Sequence, residues 1–224
     1  MLAEAGARVA ILDRDAEAAA AVAEALPGEG HFAVTVNRAD ELSIIAAMAQ
    51  VAATAGAPWL PLNNAGLQDR RCLIEASTGR WDRMHAVDAR GAFPMLRKAA
   101  RTMVGAGKGK RIANSFPGGL DGSIVDRLLA YVAGKGTRGG MTLSAAYELA
   151  EHQTTLNAGP PGTVVTPGAT AATGPATRGS ATPPCTFGHA GPREIGAAVL
   201  FFASPAAVRV NDQQLAVDGG WSVS

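Results

Sequence analysis

Short β-branched segments alternate with longer alanine-rich segments along almost the whole chain. The alternation predicts helices at residues 15–26, 40–55, 78–104, 128–151 and 192–203. Strands are predicted between them, at residues 8–12, 31–36, 59–62, 111–114, 154–158 and 214–217. Strands that alternate with helices favour a parallel sheet. The sequence therefore predicts an α/β fold, a doubly wound parallel sheet with helices on both faces.

The alternation is interrupted between residues 159 and 191, where proline, glycine, threonine and alanine dominate without periodicity. We expect a flap over this segment. A chain of 224 residues is long enough for one large core, and the sequence has no internal repeat. We therefore expect a single domain over residues 1–224.

Composition and charge argue against several classes of function. Hydrophobic residues make up 47% and charged residues 17% of the chain, which is typical of a globular protein. A membrane-spanning helix needs about 20 consecutive apolar residues, and charges or glycines interrupt every apolar run before that length. The first residues lack the pattern of a signal peptide. A net charge of +1 without a basic stripe argues against nucleic acid as a partner. We expect a cytoplasmic protein.

Cysteine and histidine do not predict a metal site. Cys72 and Cys185 are far apart in the sequence, and we expect both to be free thiols. The four histidines show no spacing typical of metal ligands.

Asp13 directly follows the first predicted strand. Ligands of a doubly wound sheet bind where loops leave the carboxyl ends of the strands. A carboxylate there can accept hydrogen bonds from both ribose hydroxyls of adenosine and would repel a 2′-phosphate, although it could equally begin a surface turn. Arg14 beside it leaves room for a phosphate. Asp13 thus favours NAD over NADP as a cofactor.

Two further segments could carry chemistry. Residues 63–66 (NNAG) follow a predicted strand and would turn tightly while offering side-chain amides, which could also be no more than a good turn. Tyr131 and Lys135 are four residues apart and share a helix face. A nearby ammonium lowers the pKa of a tyrosine from its ordinary value near 10, so that the pair could remove a proton from an alcohol. Such a pair could also be two solvated side chains, and Tyr147 has no lysine four residues on.

The order of these segments resembles the short-chain dehydrogenase/reductase family. The segments that carry the resemblance are, in chain order, LDR at 12–14, NNAG at 63–66, YVAGK at 131–135, PGTVVT at 161–166 and VDGGW at 217–221. The resemblance covers essentially the whole chain, and the combination is far more specific than any one segment. GSIVDR before the tyrosine and LAVDGGW near the end look nearest to the bacterial sugar-alcohol dehydrogenases.

The resemblance implies a Rossmann-like oxidoreductase that uses NAD(H) to interconvert a secondary alcohol and a ketone. Tyr131 would be the general acid/base, and Lys135 would hold the nicotinamide ribose and lower the pKa of the tyrosine. The segment beyond Pro167 would be a substrate lid. Helices around 81–104 and 128–151 would form the contact of a homodimer or homotetramer. Residues implied to line the cofactor cleft are Asp13, Asn37, Asn63, Ala65, Gly66, Tyr131, Lys135, Pro161, Gly162, Val164 and Thr166.

The chain departs from the family pattern at its start. The family begins with a strand and a glycine-rich turn that presents backbone N–H groups to the pyrophosphate. Residues 1–5 correspond instead to the last turn of the following helix. We therefore expect an N-terminally truncated fold that lacks a mid-sheet strand between those ending at Asp13 and Asn63. Either the start is misplaced, or the sheet closes differently.

Further departures fall on candidate site residues. Asp88 stands where the family usually has an asparagine that organises a catalytic water, and an anion there would raise the pKa of the tyrosine. Asn37 replaces an adenine-contacting aspartate. Ser115 matches the catalytic serine of the family, but an alignment anchored on GSIVDR places Gly119 there, and Ser123 is a further candidate.

Three more departures concern the secondary structure. Pro61 would remove a hydrogen-bond donor from an interior strand. Pro94 would interrupt the predicted helix at 78–104, at a cost of about 3 kcal/mol. Asn211 and Asp212 replace the usual Thr-Gly.

Two functions remain open from the sequence. The first is an NAD(H)-dependent oxidoreductase. In it Tyr131 takes the hydroxyl proton, Lys135 lowers the pKa of Tyr131, and Ser115 orients the substrate oxygen. The second is a catalytically silent relative that acts by oligomerising with intact homologues. Cofactor binding with turnover would support the first, and dimerisation without cofactor binding would support the second.

Overall fold

The computed structural model describes residues 1–69, 71–107, 111–114, 128–162, 164, 166 and 187–220. Its strands are β1 (Ala10–Asp13), β2 (Phe32–Thr35), β3 (Leu62–Asn63), β4 (Arg111–Asn114) and β5 (Thr155–Ala158). Its helices are α1 (Ala16–Ala25), α2 (Glu41–Ala55), α3 (Thr78–His85), α4 (Ala92–Gly105), α5 (Leu129–Ala150) and α6 (Pro192–Ala203). All strand pairs among these residues are parallel, so the predicted α/β fold is confirmed.

The described strands form two sheets, ordered β1-β2 and β3-β4-β5. No ladder joins β1 to β3 within the described residues, so the sheet does not close between the strand that ends at Asp13 and the one that ends at Asn63. Asp13 pairs with Thr35, and Asn63 pairs with Asn114. In each sheet the carboxyl ends of paired strands therefore meet at one edge, where loops can carry a site.

Acidic residues are the N-caps of the first two helices. The side chain of Asp15 accepts a hydrogen bond from the backbone of Ala18 over 3.0 Å, and Asp40 accepts one from Leu42 over 3.0 Å. These N-caps satisfy donors that have no partner inside the helix, at a typical gain of about 1 kcal/mol each. They place the start of α1 and α2 within one residue of the predicted position.

One hydrophobic core spans both sheets. Helices α2, α4 and α5 contribute most of its side chains, and the rest come from β2, from Val36 just beyond it and from β5. Ile44, Met103 and Leu156 are fully buried at its centre. Because residues from both sheets bury against the same helices, helix packing holds the sheets together where no ladder joins them. Its buried members are Val34, Val36, Ile44, Ala47, Met48, Val51, Leu96, Ala99, Met103, Ala146, Leu149 and Leu156.

The predicted helix at 78–104 is wrong as a single element. It divides into α3 and α4, with a π-helical segment, Ala86–Arg90, between them. Pro94 is the third residue of α4, where its missing N–H has no partner in the helix to lose. The expected cost of a proline in a helix interior therefore does not arise.

Two predicted strands are also wrong in their extent. β3 begins at Leu62 instead of residue 59, so Pro61 lies before the ladder and removes no donor from it. Residues 214–217 form no strand, and only isolated bridges pair Gln214 with Ala158 and Val217 with Pro161.

None of the described helices is both long and apolar enough to cross a membrane.

Candidate active site

Asp13 is the last residue of β1 instead of the first residue after it. Its carboxylate is exposed and accepts a hydrogen bond from the backbone of Asp15 over 3.0 Å. The backbone of Val36 donates to the Asp13 carbonyl over 2.9 Å, which brings the neighbouring Asn37 to the same edge of the sheet. Asn37 is exposed as well, and its amide oxygen accepts from Ala39 over 3.1 Å. Both polar side chains are thus accessible to a ligand.

The loop that leaves β3 forms the second part of the site. Asn63 is 8% exposed, and its side-chain amide donates to the carbonyl of Ala92 over 3.2 Å. Asn64 and Gly66 are exposed, whereas Ala65 is half-buried. The side chain of Asn63 therefore faces the protein, while the next residues remain open to solvent.

Gly66 allows this turn to approach two charged groups. A Cβ at position 66 would lie 2.8 Å from Asp88 Oδ1 and closer still to Lys135 Nζ. Any larger residue would displace the turn or the charged groups, because such a separation is shorter than van der Waals contact. The close approach leaves the turn backbone beside the ammonium of Lys135.

Asp88 lies in the π-helical segment and is fully buried. Its Oδ1 accepts a hydrogen bond from the backbone of Leu67 over 2.9 Å. Its Oδ2 is buried and hydrogen-bonded to none of the described residues. π-Helical segments often occur at functional sites, and a buried carboxylate oxygen without a partner calls for a functional reason.

Tyr131 and Lys135 lie one turn apart on α5, as predicted, and their side chains meet. Lys135 Nζ is 5.6 Å from the centroid of the Tyr131 ring. It also lies 3.4 Å from the carbonyl oxygen of Asn64 and 3.9 Å from Asp88 Oδ1. Only 3% of Lys135 is exposed, so it is not one of two solvated side chains.

Burial raises the pKa of Tyr131 above its ordinary range, and the carboxylate of Asp88 raises it further. The cation that opposes this effect is Arg138. Tyr131 therefore carries its proton at neutral pH in the ligand-free protein. A phenol in this state is ready to act as an acid.

Burial lowers the pKa of Lys135 to about 7, and the charges of Arg138 and Arg38 lower it further against the opposing effect of Asp88. Burial raises the pKa of Asp88, an effect that Lys135 chiefly opposes. Lys135 therefore titrates close to neutrality, in the range where a general acid or base works best.

Two functional residues were missed from the sequence, Arg38 and Arg138. Arg138 is 0% exposed and Arg38 is 8% exposed. Arg138 NH2 lies 3.8 Å from Asp88 Oδ1, and Nε donates to the carbonyl of the same residue over 2.9 Å. The spacing of Tyr131, Lys135 and Arg138 at i, i+4 and i+7 puts all three on one helix face, which was the available signal.

The remaining predicted residues lie after β5. The backbone of Gly162 donates to the carbonyl of Val217 over 3.1 Å, and a Cβ on Gly162 would lie 2.7 Å from Asp218 Cα. Val164 pairs with Ala190 in an isolated bridge. Pro161, Gly162, Val164 and Thr166 are all half-buried. The structure thus ties Gly162 to Val217 and Asp218, and Val164 to Ala190.

The catalytic serine predicted at Ser115 lies outside the described residues, as do Gly119 and Ser123. The predicted lid beyond Pro167 lies outside them as well, except for its last part from Phe187.

The described residues fit a bound dinucleotide. Exposed polar residues lie at or just beyond the carboxyl ends of β1, β2 and β3. Gly66 lets the exposed turn approach buried Lys135, whose Nζ lies 3.4 Å from the carbonyl oxygen of Asn64. Asp13 would accept from an adenosine ribose, and Lys135 would donate to the second ribose.

Comparison with known proteins shows the family and the fold. A family model described as enoyl-(acyl carrier protein) reductase matches residues 1–222. The galactitol 2-dehydrogenase (L-tagatose-forming) of Cereibacter sphaeroides is 34% identical over 231 residues, which cover 97% of this chain and 86% of that protein.

Two solved structures share the fold at 27% identity. The 3-ketoacyl-(acyl-carrier-protein) reductase of Brucella melitensis, complexed with NADH, superposes with a TM-score of 0.90, over 99% of this chain and 90% of that one. The gluconate 5-dehydrogenase of Burkholderia cenocepacia, in complex with NADP and tartrate, superposes with a TM-score of 0.89, over 100% of this chain and 88% of that one. The chain belongs to the short-chain dehydrogenase/reductase family and is an oxidoreductase.

Proposed function

We propose that the protein is an NAD(H)-dependent oxidoreductase that interconverts a secondary alcohol and a ketone, with Tyr131 as general acid/base. The observation that carries the proposal is the position of Lys135, whose ammonium lies over the Tyr131 ring and beside the Asn64 carbonyl. This position would let Lys135 act on a ligand at the exposed turn, while the charge of Arg138 lowers the pKa of the tyrosine. Burial strengthens both effects, because water does not screen the charge.

Tyr131 would hold the proton that moves. In ketone reduction its hydroxyl would donate that proton to the substrate oxygen, and the raised pKa of Tyr131 keeps the proton in place at neutral pH. In alcohol oxidation Tyr131 must first lose the proton, so we expect oxidation to become faster at higher pH. The nicotinamide, when bound, would supply or accept the hydride.

Asp13 supports NAD over NADP. Its exposed carboxylate stands at the carboxyl end of β1, where it would repel a 2′-phosphate. Asn37 on the neighbouring strand end would accept a hydrogen bond from the adenine. Asn63, Ala65 and Gly66, together with Pro161, Gly162, Val164 and Thr166, would line the remainder of the cleft, and Ser115 would orient the substrate oxygen.

A sugar alcohol is the substrate class that we favour. The similarity to a galactitol 2-dehydrogenase over 97% of the chain supports this class. We further propose that the chain forms one domain and assembles as a homodimer or homotetramer. Large apolar side chains on α3, α4 and α5 support an assembly surface, because Trp81, Phe93, Leu143 and Tyr147 are each exposed by 39% or more.

The deciding experiment is a fluorescence titration with NADH and, separately, with NADPH, followed by a turnover assay with galactitol and other polyols. Trp59 and Trp81 are both exposed and provide an intrinsic signal. We expect saturable binding that favours NADH, and turnover of at least one polyol. A protein that forms oligomers but binds neither cofactor would instead support the catalytically silent relative.

A further inference from the structure

Side chains, more than strand pairing, hold the turn that follows β3. This strand is only two residues long and pairs with β4 alone among the described strands. Beyond it, Arg138 NH1 donates to the carbonyl of Asn63 over 3.1 Å, and NH2 donates to that of Ala65 over 2.7 Å. On the far side, the backbone of Leu67 donates to Asp88 Oδ1.

Arg38 holds the same turn from the other sheet. It lies three residues after the end of β2. Its NH2 donates to Asn63 Oδ1 over 2.6 Å, and its NH1 donates to the Ala65 carbonyl. The Ala65 carbonyl thus accepts from two guanidinium groups that come from different parts of the fold.

We propose that Arg38 and Arg138 form a clamp that sets the position of the 63–67 turn for the reaction, and that both are positioning residues. The proposal rests on the function proposed above, because the turn is where the cofactor would bind. Arg38 also connects the carboxyl end of the β1-β2 sheet to that of the β3-β4-β5 sheet, across the edge where no described ladder does so.

Packing alone does not require arginine at these positions. A buried leucine or methionine would fill a similar volume without the loss of hydration that a buried cation suffers. A planar guanidinium, in contrast, can donate to two carbonyl oxygens at once in a fixed geometry, and a lysine cannot. Arg138 uses this property, because Nε and both terminal nitrogens each donate to a different carbonyl oxygen.

Three cations in this cluster, Arg38, Lys135 and Arg138, face one carboxylate, that of Asp88. The charge of Arg138 lowers the pKa of both Tyr131 and Lys135. Arg138 therefore acts in two ways, through its hydrogen bonds on the turn and through its charge on Tyr131 and Lys135. The two actions can be separated by substitution.

Arg138→Lys keeps the charge and loses the planar fork, whereas Arg138→Met loses both. Arg193→Met is a matched control, since Arg193 also donates through two nitrogens, here to the carboxylate of Glu4, but is 70% exposed and lies on α6. For each variant we would measure hydrogen–deuterium exchange of a peptide over residues 64–67 without cofactor, the Kd for NADH, and the pH dependence of kcat.

We expect exchange in this peptide to become about tenfold faster in both Arg138 variants, with a similar increase in the Kd for NADH. The kcat pH midpoint should stay in place in Arg138→Lys and move to higher pH in Arg138→Met, a displacement that a purely structural role would not produce. Arg193→Met should leave all three quantities unchanged.

Wild-type exchange and wild-type NADH affinity in a folded Arg138→Lys variant would overturn the clamp. If Arg138→Met does not fold, Arg38→Met replaces it. We expect the same faster exchange of the 64–67 peptide and the same increase in the Kd for NADH. Wild-type exchange and affinity in a folded Arg38→Met variant would again overturn the clamp. A wild-type protein that binds no NADH would refute the proposed function instead. In that case, faster exchange of the 64–67 peptide in the variants would still show that the clamp holds the turn, and unchanged exchange would overturn the clamp.

Discussion

Arg138 and Asp88 meet twice in the core of the site: the guanidinium donates to the Asp88 carbonyl over 2.9 Å and lies 3.8 Å from its carboxylate. The first contact joins α5 to the π-helical segment, and the second balances charge. The Asp88 carboxylate is also one of the groups that raise the pKa of Tyr131. Asp88 thus affects both the packing of α5 against the π-helical segment and the pKa of Tyr131, the candidate acid/base.

Asp88→Asn should lower the pKa of Tyr131, because it removes a nearby anion while the amide oxygen can still accept from Leu67. We expect the rise of kcat for alcohol oxidation with pH to occur at lower pH than in the wild type. Asp82→Asn, on the exposed face of α3, is the control and should leave the profile in place. An unchanged profile in Asp88→Asn would show that this carboxylate does not act on the tyrosine.

Tyr131→Phe should lower kcat by at least about 10²-fold and leave the Kd for NADH unchanged, since it removes only the hydroxyl that carries the proton. Tyr147→Phe is the matched control. Tyr147 lies on the same helix but is 86% exposed. Steady-state kinetics with a polyol substrate measure both variants. Normal turnover in Tyr131→Phe would remove this residue from the mechanism.

Asp13→Asn should raise the Kd for NADH about tenfold and affect NADPH less, because it removes the charge that distinguishes the two cofactors. Its amide oxygen can still accept from Asp15, so the turn after β1 keeps its hydrogen bond. Glu17→Gln, in the first turn of α1, controls for the loss of a nearby negative charge. Equal losses for both cofactors would contradict the assignment of specificity to Asp13.

Lys135 should make stability depend on pH above neutrality. Its pKa is about 7 in the folded protein and 10.5 when unperturbed, so between these values the unfolded chain binds the extra proton. The free energy of unfolding of the wild type should therefore rise with pH over this window, relative to that of Lys135→Met. Urea denaturation at pH 7, 8.5 and 10 measures the difference. A constant difference between the two proteins would mean that Lys135 stays fully charged when folded.

Gly66→Ala should destabilise the protein by about 1–3 kcal/mol, because the methyl group would overlap Lys135 and Asp88. Gly136→Ala, on the exposed face of α5, meets nothing within 4 Å and should stabilise it by about 0.5–1 kcal/mol. Denaturant midpoints compare the two. Equal stabilisation by both alanines would show that the turn does not approach the charged groups closely.

Local signals in the sequence predicted the helices well where a cap accompanied the periodicity. Asp15 and Asp40 are the N-caps of α1 and α2, which begin one residue after the predicted positions, and α6 begins at Pro192 as predicted. The division of the helix at 78–104 was missed, because a π-helical turn leaves the composition of a helix unchanged. The position of Pro94 was the available sign of a new helix start.

The candidate site was only partly predictable. The pairing of Tyr131 with Lys135 follows from helix periodicity, but the burial of Arg38 and Arg138 depends on contacts across the fold that no local pattern encodes. Asp212 is a similar case. It replaces a glycine of the family pattern yet has a φ of 57°, a conformation that aspartate tolerates better than most residues.

The π-helical segment Ala86–Arg90 sets the rotation of the buried face of α4 relative to that of α3. Upstream lies α3 with its buried Met84, and downstream lie the core positions Leu96 and Met103 of α4. Each residue of a helix advances the chain by about 100° around its axis. Deleting one residue between 86 and 90 would therefore rotate the downstream apolar face by about that angle away from the core. The segment should tolerate most exchanges of side chain far better than any change in its length.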